Sequence, residues 1–221
     1  MSRRVVVTGL GLVTPMGCDI DDLWRRLLAG ERGVAAPQRF GDDVPPTRAV
    51  GEVDPAVLER LRAAHPDLEE SADPRNVFAL AAARDALAMA GLERGVHPRA
   101  GVLLGAGPGA NRIEDVARYL DEHGAFDAHG FGSDLSALQP ESLIRQAAEQ
   151  PAARIARSYG IGGPVHAVTT ACSASNQALG LAYRSIRRGE TDWVVTGGSD
   201  SQVNPLGLVF FVLLGASANV D

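Results

Sequence analysis

Apolar residues along this chain follow two periods, and together they predict helices separated by short strands. Apolar or β-branched segments predict strands at residues 4–8, 49–53, 100–105, 165–168 and 192–196. Helical spacing, with apolar positions three and four residues apart, fills much of the chain between them. Parallel strands require such crossovers, so the pattern predicts an α/β fold with a mainly parallel, five-stranded sheet and helices on both faces.

Capping residues mark where the helices begin and end. Asp19 precedes an amphipathic stretch that stops at Gly30, and two Asp-Pro pairs, at residues 54–55 and 73–74, predict further helix starts. The second of these helices is so rich in alanine over residues 77–90 that most of its circumference is expected to be buried. Helices are also predicted at residues 113–122, 141–148 and 151–159, and a loop at residues 124–138. The apolar stripe of the first helix comprises Ile20, Leu23, Trp24, Leu27 and Leu28.

Composition narrows the functional classes. With 221 residues, 45% of them hydrophobic, the chain can form one substantial layered domain. A net charge of −6 gives no general attraction to nucleic acid or to anionic lipid, so neither is an expected partner. Two cysteines and the absence of a secretory signal predict a reducing, cytoplasmic compartment. The apolar run at residues 206–214 is too short to cross a bilayer and is expected to be buried core.

The glycine-rich loop at residues 9–17 invites comparison with dinucleotide-binding loops. Such a site needs a helix that begins inside the glycine loop, whereas Pro15 and Gly17 keep this segment irregular up to Asp19. No acidic residue closes a second strand at the expected distance. No cofactor is therefore predicted, and the glycines are expected to let the loop pass close to other backbone.

Cys172 holds the most informative position in the chain. The strand at residues 165–168 runs into a Thr-Thr-Ala-Cys turn that opens a helix. The first N–H groups of a helix carry partial positive charge, which favours a thiolate placed there. Free cysteines are also among the most often buried residues, so nucleophile and packing residue are equally supported at this point. The apolar positions of the helix are Ala178, Leu179, Ala182 and Ile186.

The remaining titratable candidates give no metal site. The five histidines are scattered without paired spacing on one helix, so zinc is not expected. His166 is six residues from Cys172 on the strand that leads to it, and its side chain need not face the sulfur. Cys18 is expected to be structural and not disulfide-bonded to Cys172. The other histidines are His65, His97, His123 and His129.

Three blocks resemble the β-ketoacyl synthases of fatty-acid and type II polyketide pathways: VVVTGLGLVTPMG at residues 5–17, the stretch around TTACSAS at residues 159–200, and NPLGLVFF at residues 204–211. The resemblance implies a thiolase-like fold in which residues 1–221 form the N-terminal half of a duplicated αβαβα architecture. It implies that Cys172 accepts an acyl chain, with its own N–H as half of the oxyanion hole. It also places Phe211 in the acyl channel.

The same resemblance implies the reaction and the partners. The acyl group comes from an acyl-carrier protein, and the acyl-enzyme condenses with malonyl-carrier protein as carbon dioxide leaves. In that family two histidines, a lysine and a second oxyanion donor come from the C-terminal half. This chain has no lysine, and none of its histidines matches that pair, so it is expected not to condense alone. A homodimer through residues 192–196, or a synthase–partner heterodimer, is expected, with a cover over residues 206–214.

Two alternatives differ in class. One is a non-catalytic partner that resembles chain-length factors, but those proteins typically lack the nucleophilic cysteine that Cys172 represents. The other is a different thiolase-fold acyltransferase or thioesterase that uses cysteine with another base. The TTACSAS block and the GLGLVTPMG opening favour a synthase over this second alternative.

Overall fold

The computed structural model describes residues 3–38, 49–64, 73–109, 117–134, 144 and 147–217. The helices are α1 (Ile20–Leu28), α2 (Pro55–Ala63), α3 (Pro74–Met89), α4 (Ala128–Ser133), α5 (Gln150–Tyr159), α6 (Ala174–Arg188) and α7 (Pro205–Leu213). The strands are β1 (Ala100–Gly105), β2 (Val165–Val168) and β3 (Trp193–Gly198). A 3₁₀ turn at Ala171–Ser173 joins the end of β2 to α6.

The strands form one parallel sheet in the order β2-β1-β3. Val102 of β1 lies opposite Val165 on one side and Val195 on the other, and every residue of β1 is buried. Alternate residues of β1 face the core formed with α2, α3 and α5, while α6 packs on β1 and β3 from the other face. The predicted α/β class, with a parallel sheet and helices on both faces, is confirmed.

The described residues contain three strands, not the predicted five. Residues 4–8 form no strand, although β3 has an unpaired edge among the described residues. This segment instead lines an apolar groove of about 350 Å³ with α3, α6 and β3, and Val7 is 76% exposed. Residues 49–53 contribute only an isolated bridge, in which the amides of Ala35 and Val50 each donate to the other's carbonyl.

The caps predicted for the first three helices are confirmed. Asp19 Oδ1 accepts from the Asp22 amide at 2.8 Å, and the Asp54 and Asp73 side chains accept from the amides of Ala56 and Arg75. The alanine-rich α3 buries most of its residues, as expected. The apolar stripe of α1 lacks the expected cover, since no residue of this helix is buried and Trp24 is 63% exposed.

The region between β1 and α5 differs from the predictions. Of the helix expected at residues 113–122, residues 113–116 lie outside the described part, Ala117 is helical, and residues 118–122 form a turn with a bridge between Leu120 and Phe126. The loop predicted at residues 124–138 contains α4, because the Asp127 side chain caps it by accepting from the Gly130 amide at 2.9 Å. Most of the helix expected at residues 141–148 lies outside the described part. The helix predicted at residues 151–159 is confirmed as α5.

Helix α7 was expected to be buried, and that prediction is wrong for this chain. Only Gly207 and Leu208 are buried, while Leu213 and Leu214 are 78% and 76% exposed. The helix follows β3 in the chain, and Phe210 and Phe211 are also exposed among the described residues. Among the described residues, no helix combines the length and the apolarity that crossing a bilayer requires.

The glycine-rich loop passes close to α3, as the sequence predicted. A Cβ atom added at Gly9 would lie 1.9 Å from the Ala86 carbonyl oxygen, and one at Gly11 would lie 1.9 Å from that of Ala82. No residue with a side chain fits at either position without moving the helix backbone. The two glycines therefore bring residues 9–11 into direct contact with α3.

Candidate active site

Cys172 lies in the 3₁₀ turn between β2 and α6, one turn before the regular helix begins. Its neighbour Ala171 has a φ of 50°, a left-handed conformation that costs a non-glycine residue roughly 1–2 kcal/mol. The side chain of Cys172 is exposed and its thiol is free. Of the two alternatives that the sequence left open, the packed core cysteine is therefore excluded.

The start of α6 lacks a side-chain cap from its N-cap residue, Ser173. The Ser173 hydroxyl instead donates to the Thr170 carbonyl at 2.9 Å and accepts from Gln177 Nε2 at 3.1 Å. These side-chain bonds close the turn around Cys172, and the Ala174 amide, the first of α6, donates to the Ala171 carbonyl. The dipole of α6 directs partial positive charge toward the turn that holds Cys172.

A cavity of about 350 Å³ opens at Cys172. Its walls are the loops that follow β1 and β3, residues 105–107 and 198–200, and its remaining lining is the start of α6. Carboxyl ends of parallel strands are where α/β proteins place ligands. The lining residues on the helix side are Ala171, Cys172, Ala174 and Ser175.

Glycines allow the two walls to approach the helix this closely. A Cβ at Gly105 would lie 2.3 Å from the Ser175 amide nitrogen, and one at Gly198 would lie 2.7 Å from the Ser175 Cβ. At Gly107 it would lie 2.9 Å from Asp200 Oδ2, across the cavity wall. The dimensions of the cavity therefore depend on residues without side chains.

Behind the cavity lies a buried ion pair that sequence reasoning missed. Arg75 Nε donates to Asp73 Oδ2 at 2.7 Å, and both side chains are fully buried. The Arg75 guanidinium also donates to the Gly107 carbonyl, and the Ser199 hydroxyl donates to the Arg75 carbonyl at 2.9 Å. Asp73 was recognised only as a helix cap. An arginine in the first turn of an alanine-rich helix, two residues after the capping aspartate, was the signal that could have revealed the pair.

Phe211 is not brought to this cavity. It lies on α7, is 41% exposed, and is absent from the residues that line the space around Cys172. The geometry leaves its predicted role in an acyl channel untested.

The histidines also lie apart from the cavity within the described chain. His166 is exposed on β2, and His97 Nε2 lies 2.9 Å from the Glu93 carbonyl oxygen. His123 and His129 are exposed, and His65 is outside the described residues. In the part of the chain that the structure describes, no three His, Cys, Asp or Glu side chains come close enough to hold a metal ion.

Cys18 differs from Cys172 in its surroundings. It is partly buried against the core of α3 and β1, and burial raises the pKa of its thiol above the ordinary value. Both cysteines are free thiols.

Comparisons with known proteins relate nearly the whole chain to one protein family. A family model described as "Beta-ketoacyl synthase, N-terminal domain" matches residues 2–221. A chloroplastic 3-oxoacyl-[acyl-carrier-protein] synthase I of Hordeum vulgare is 33% identical, over 95% of this chain and 45% of its own length. The 3-oxoacyl-[acyl-carrier-protein] synthase 2 of Coxiella burnetii is 32% identical, over 97% and 50%. The chain therefore spans about half the length of these relatives.

Solved structures of ketosynthases are similar to this chain over its whole length. The ishigamide ketosynthase/chain length factor aligns over 100% of this chain and 53% of its own, with a TM-score of 0.77 and 27% identity. A type II polyketide synthase acyl-carrier protein in complex with its ketosynthase, bound to the hexaketide, aligns over 100% and 52%, with a TM-score of 0.74 and 27% identity. Both are thiolase-like ketosynthases, which confirms the predicted fold class.

Proposed function

The chain belongs to the β-ketoacyl synthase family, and on that premise we propose that Cys172 is the nucleophile that takes an acyl group from a carrier-protein thioester. One observation supports this above all: the free thiol is exposed at the mouth of a cavity, at the uncapped start of α6. A reacting carbonyl needs both a nucleophile within about 3–3.5 Å and donors aimed at its oxygen. The cavity offers room for both.

In the proposed acyl transfer, Sγ of Cys172 attacks the thioester carbonyl carbon and forms a tetrahedral oxyanion. The Cys172 N–H donates to that oxygen, and the partial charge at the start of α6 stabilises it. The bond from carbon to the carrier sulfur then breaks, and the carrier thiolate takes up the proton that the Cys172 thiol gave up. The products are acyl-Cys172 and the free carrier thiol.

The second proposed step extends the chain. Malonyl-carrier protein loses carbon dioxide, and the resulting enolate carbon attacks the acyl-Cys172 carbonyl. The bond to Sγ breaks, which frees the cysteine and leaves a 3-oxoacyl thioester on the carrier. The enolate oxygen needs hydrogen-bond donors, each worth about 3–4 kcal/mol in comparable sites. Among the described residues, no histidine lines the cavity, so we propose that these 221 residues accept the acyl group but do not condense it.

Intact-mass analysis tests the acyl transfer. After incubation with an acyl-carrier protein thioester, the chain should gain one acyl group, and peptide mapping should place it on Cys172. Cys172→Ala should abolish the adduct, while Cys18→Ala, the matched control at the other cysteine, should keep it. An adduct that persists in Cys172→Ala would remove the assignment.

The acyl channel is a separate part of the proposal. Phe211 is proposed to line it, and the exposed side of α7 is proposed to be covered by another protein surface. Phe211→Ala should then change the preference among acyl chain lengths without preventing acylation of Cys172. Unchanged chain-length preference would contradict this role.

Partners and assembly follow from the same premise. An acyl-carrier protein is the proposed donor, in keeping with the complex described above. Since β3 lies at the edge of the sheet, residues 192–196 are proposed to join two synthase subunits, or a synthase and a partner subunit. Light scattering on the protein should give a dimer mass, and a strictly monomeric synthase would contradict it. The two free thiols fit the proposed cytoplasmic location.

A chain-length-factor-like role is less well supported. One of the similar structures contains a chain length factor beside its ketosynthase. The exposed cysteine at the cavity nevertheless favours the catalytic subunit. Absence of any acyl adduct on the wild-type chain would favour the partner role instead.

A further inference from the structure

Arg75 is one of the largest fully buried side chains in the described structure. Its guanidinium contacts the Asp73 carboxylate and the Gly107 carbonyl, with the Ala147 carbonyl oxygen 3.5 Å from Nη2. These partners come from three segments: the cap of α3, the loop after β1 and the approach to α5. A planar guanidinium can donate in several directions at once, which a lysine ammonium on its flexible stem cannot reproduce.

The backbone of Arg75 reaches a fourth segment. Its carbonyl accepts from the Ser199 hydroxyl at 2.9 Å, and Ser199 belongs to the loop after β3. Gly107 and Ser199 both line the Cys172 cavity, in the loops after the neighbouring strands β1 and β3, and the Ser199 amide also donates to the Gly105 carbonyl at 3.0 Å. One residue outside the cavity therefore holds both walls, one through its side chain and the other through its backbone.

We propose that Arg75 is a positioning residue that holds the two strand-end loops of the Cys172 cavity at the spacing acyl transfer requires. The proposal rests on the function proposed for that cavity. Arg75 does not touch the reacting atoms, because Gly107 and Ser199 lie between it and the open space. Its contribution is geometric, since a displacement of about 1 Å in a reacting centre can lower a rate about a hundredfold.

The pair with Asp73 makes this arrangement possible. A buried guanidinium without a partner would be strongly destabilising, and Asp73 supplies the charge while it caps α3. The Arg75 side chain is therefore held at the start of α3, and the rest of that helix packs in the core. The two loops that form the cavity walls are bonded to a residue whose own position is fixed by this packing.

Two variants test the positioning role of Arg75 without removing the positive charge buried beside Asp73. Ser199→Ala deletes the bond from the loop after β3, and Arg75→Lys keeps a positive charge beside Asp73 but loses the branched donor set. Ser185→Ala is the matched control: it also deletes a buried serine hydroxyl, bonded to Thr191 Oγ1 at 3.0 Å, toward the end of α6 remote from Cys172. All three are made in the full 221-residue chain.

Two measurements are made on each variant. Hydrogen exchange followed by mass spectrometry reports the opening of residues 105–109 and 198–202. Acylation of Cys172 by an acyl-carrier protein thioester is followed over a range of thioester concentrations, which separates the saturating rate constant from the half-saturating concentration.

Ser199→Ala and Arg75→Lys should raise amide exchange in both loops by about tenfold, the equivalent of one lost hydrogen bond. They should lower the saturating acylation rate constant by about ten- to a hundredfold, with the half-saturating concentration within about twofold of wild type. Ser185→Ala should leave loop exchange and acylation unchanged.

Wild-type loop exchange in both test variants would overturn the positioning role. So would an equal loss of acylation in Ser185→Ala, since that would indicate a general effect of stability. If the wild type forms no acyl adduct while the two variants still show faster exchange in both loops, the proposed function fails, but Arg75 still holds the two loops in position. The two inferences are thus decided by different data.

Discussion

Gly105→Ala should disturb both the stability of this protein and the geometry at Cys172. Gly105 is the last residue of β1 and is buried beneath the first turn of α6. The added Cβ would lie 2.3 Å from the Ser175 amide nitrogen and 2.5 Å from the Ala174 carbonyl carbon. Both are backbone atoms, so no rotation of a side chain can relieve the contact.

The size of the effect follows from that geometry. Ordinary contact begins near 3.4 Å, so the start of α6 and the end of β1 must separate by about 1.1 Å. Overpacking a core in this way costs about 1–3 kcal/mol, and a clash with backbone places the cost in the upper part of that range. For a chain of this length, 2–3 kcal/mol lowers Tm by about 4–12 °C.

Urea denaturation followed by circular dichroism measures the free energy of unfolding. Gly180→Ala is the matched control: it lies within the same helix, its added Cβ meets nothing within 4 Å, and it should stabilise by about 0.5–1 kcal/mol. Because the start of α6 moves in Gly105→Ala, acylation of Cys172 should also fall by about ten- to a hundredfold. A Gly105→Ala protein within about 0.5 kcal/mol of wild type would refute the reasoning.

Two further predictions concern titratable groups. Iodoacetamide should label Cys172 faster than Cys18, because Cys172 is exposed and burial raises the pKa of the Cys18 thiol. Peptide mapping after short labelling measures the two rates, and equal rates would contradict the prediction. The side-chain hydrogen bonds from Arg99 lower the pKa of the Asp192 carboxyl, so its contribution to stability is present above the pKa of an unfolded aspartate, about 3.9, and is lost as pH falls through the folded pKa. Asp192→Asn should therefore be less stable than wild type at pH 6 and equal to it near pH 2, by urea denaturation at both; a constant difference would contradict this.

The position of Cys172 was predictable because its signals are local. A strand, a short turn and a helix with apolar spacing are encoded within about twenty residues, and the structure places the cysteine between β2 and α6 as expected. Helix caps at Asp19, Asp54 and Asp73 are local in the same sense. The α/β class followed from the order of these elements along the chain.

Local patterns did not determine which surfaces meet. The run at residues 4–8 has the composition of a strand but forms none, although β3 leaves an edge unpaired among the described residues. The stripe of α1 and the run of α7 are apolar in sequence, yet few described residues cover them. Burial of an apolar residue requires a partner surface, which the periodicity of its own segment does not specify.

The Cys172 cavity shows most clearly which features local sequence determines and which features depend on tertiary packing. The sequence by itself determined that a cysteine opens a helix after a strand, because backbone hydrogen bonding and side-chain periodicity act over a few residues. Only the tertiary structure decided that Gly107 and Ser199 would meet Arg75 behind that cysteine, across 32 and 124 residues of chain. Contacts at such separations arise from the packing of whole elements, and a buried arginine finds its partners only once the sheet and α3 have come together.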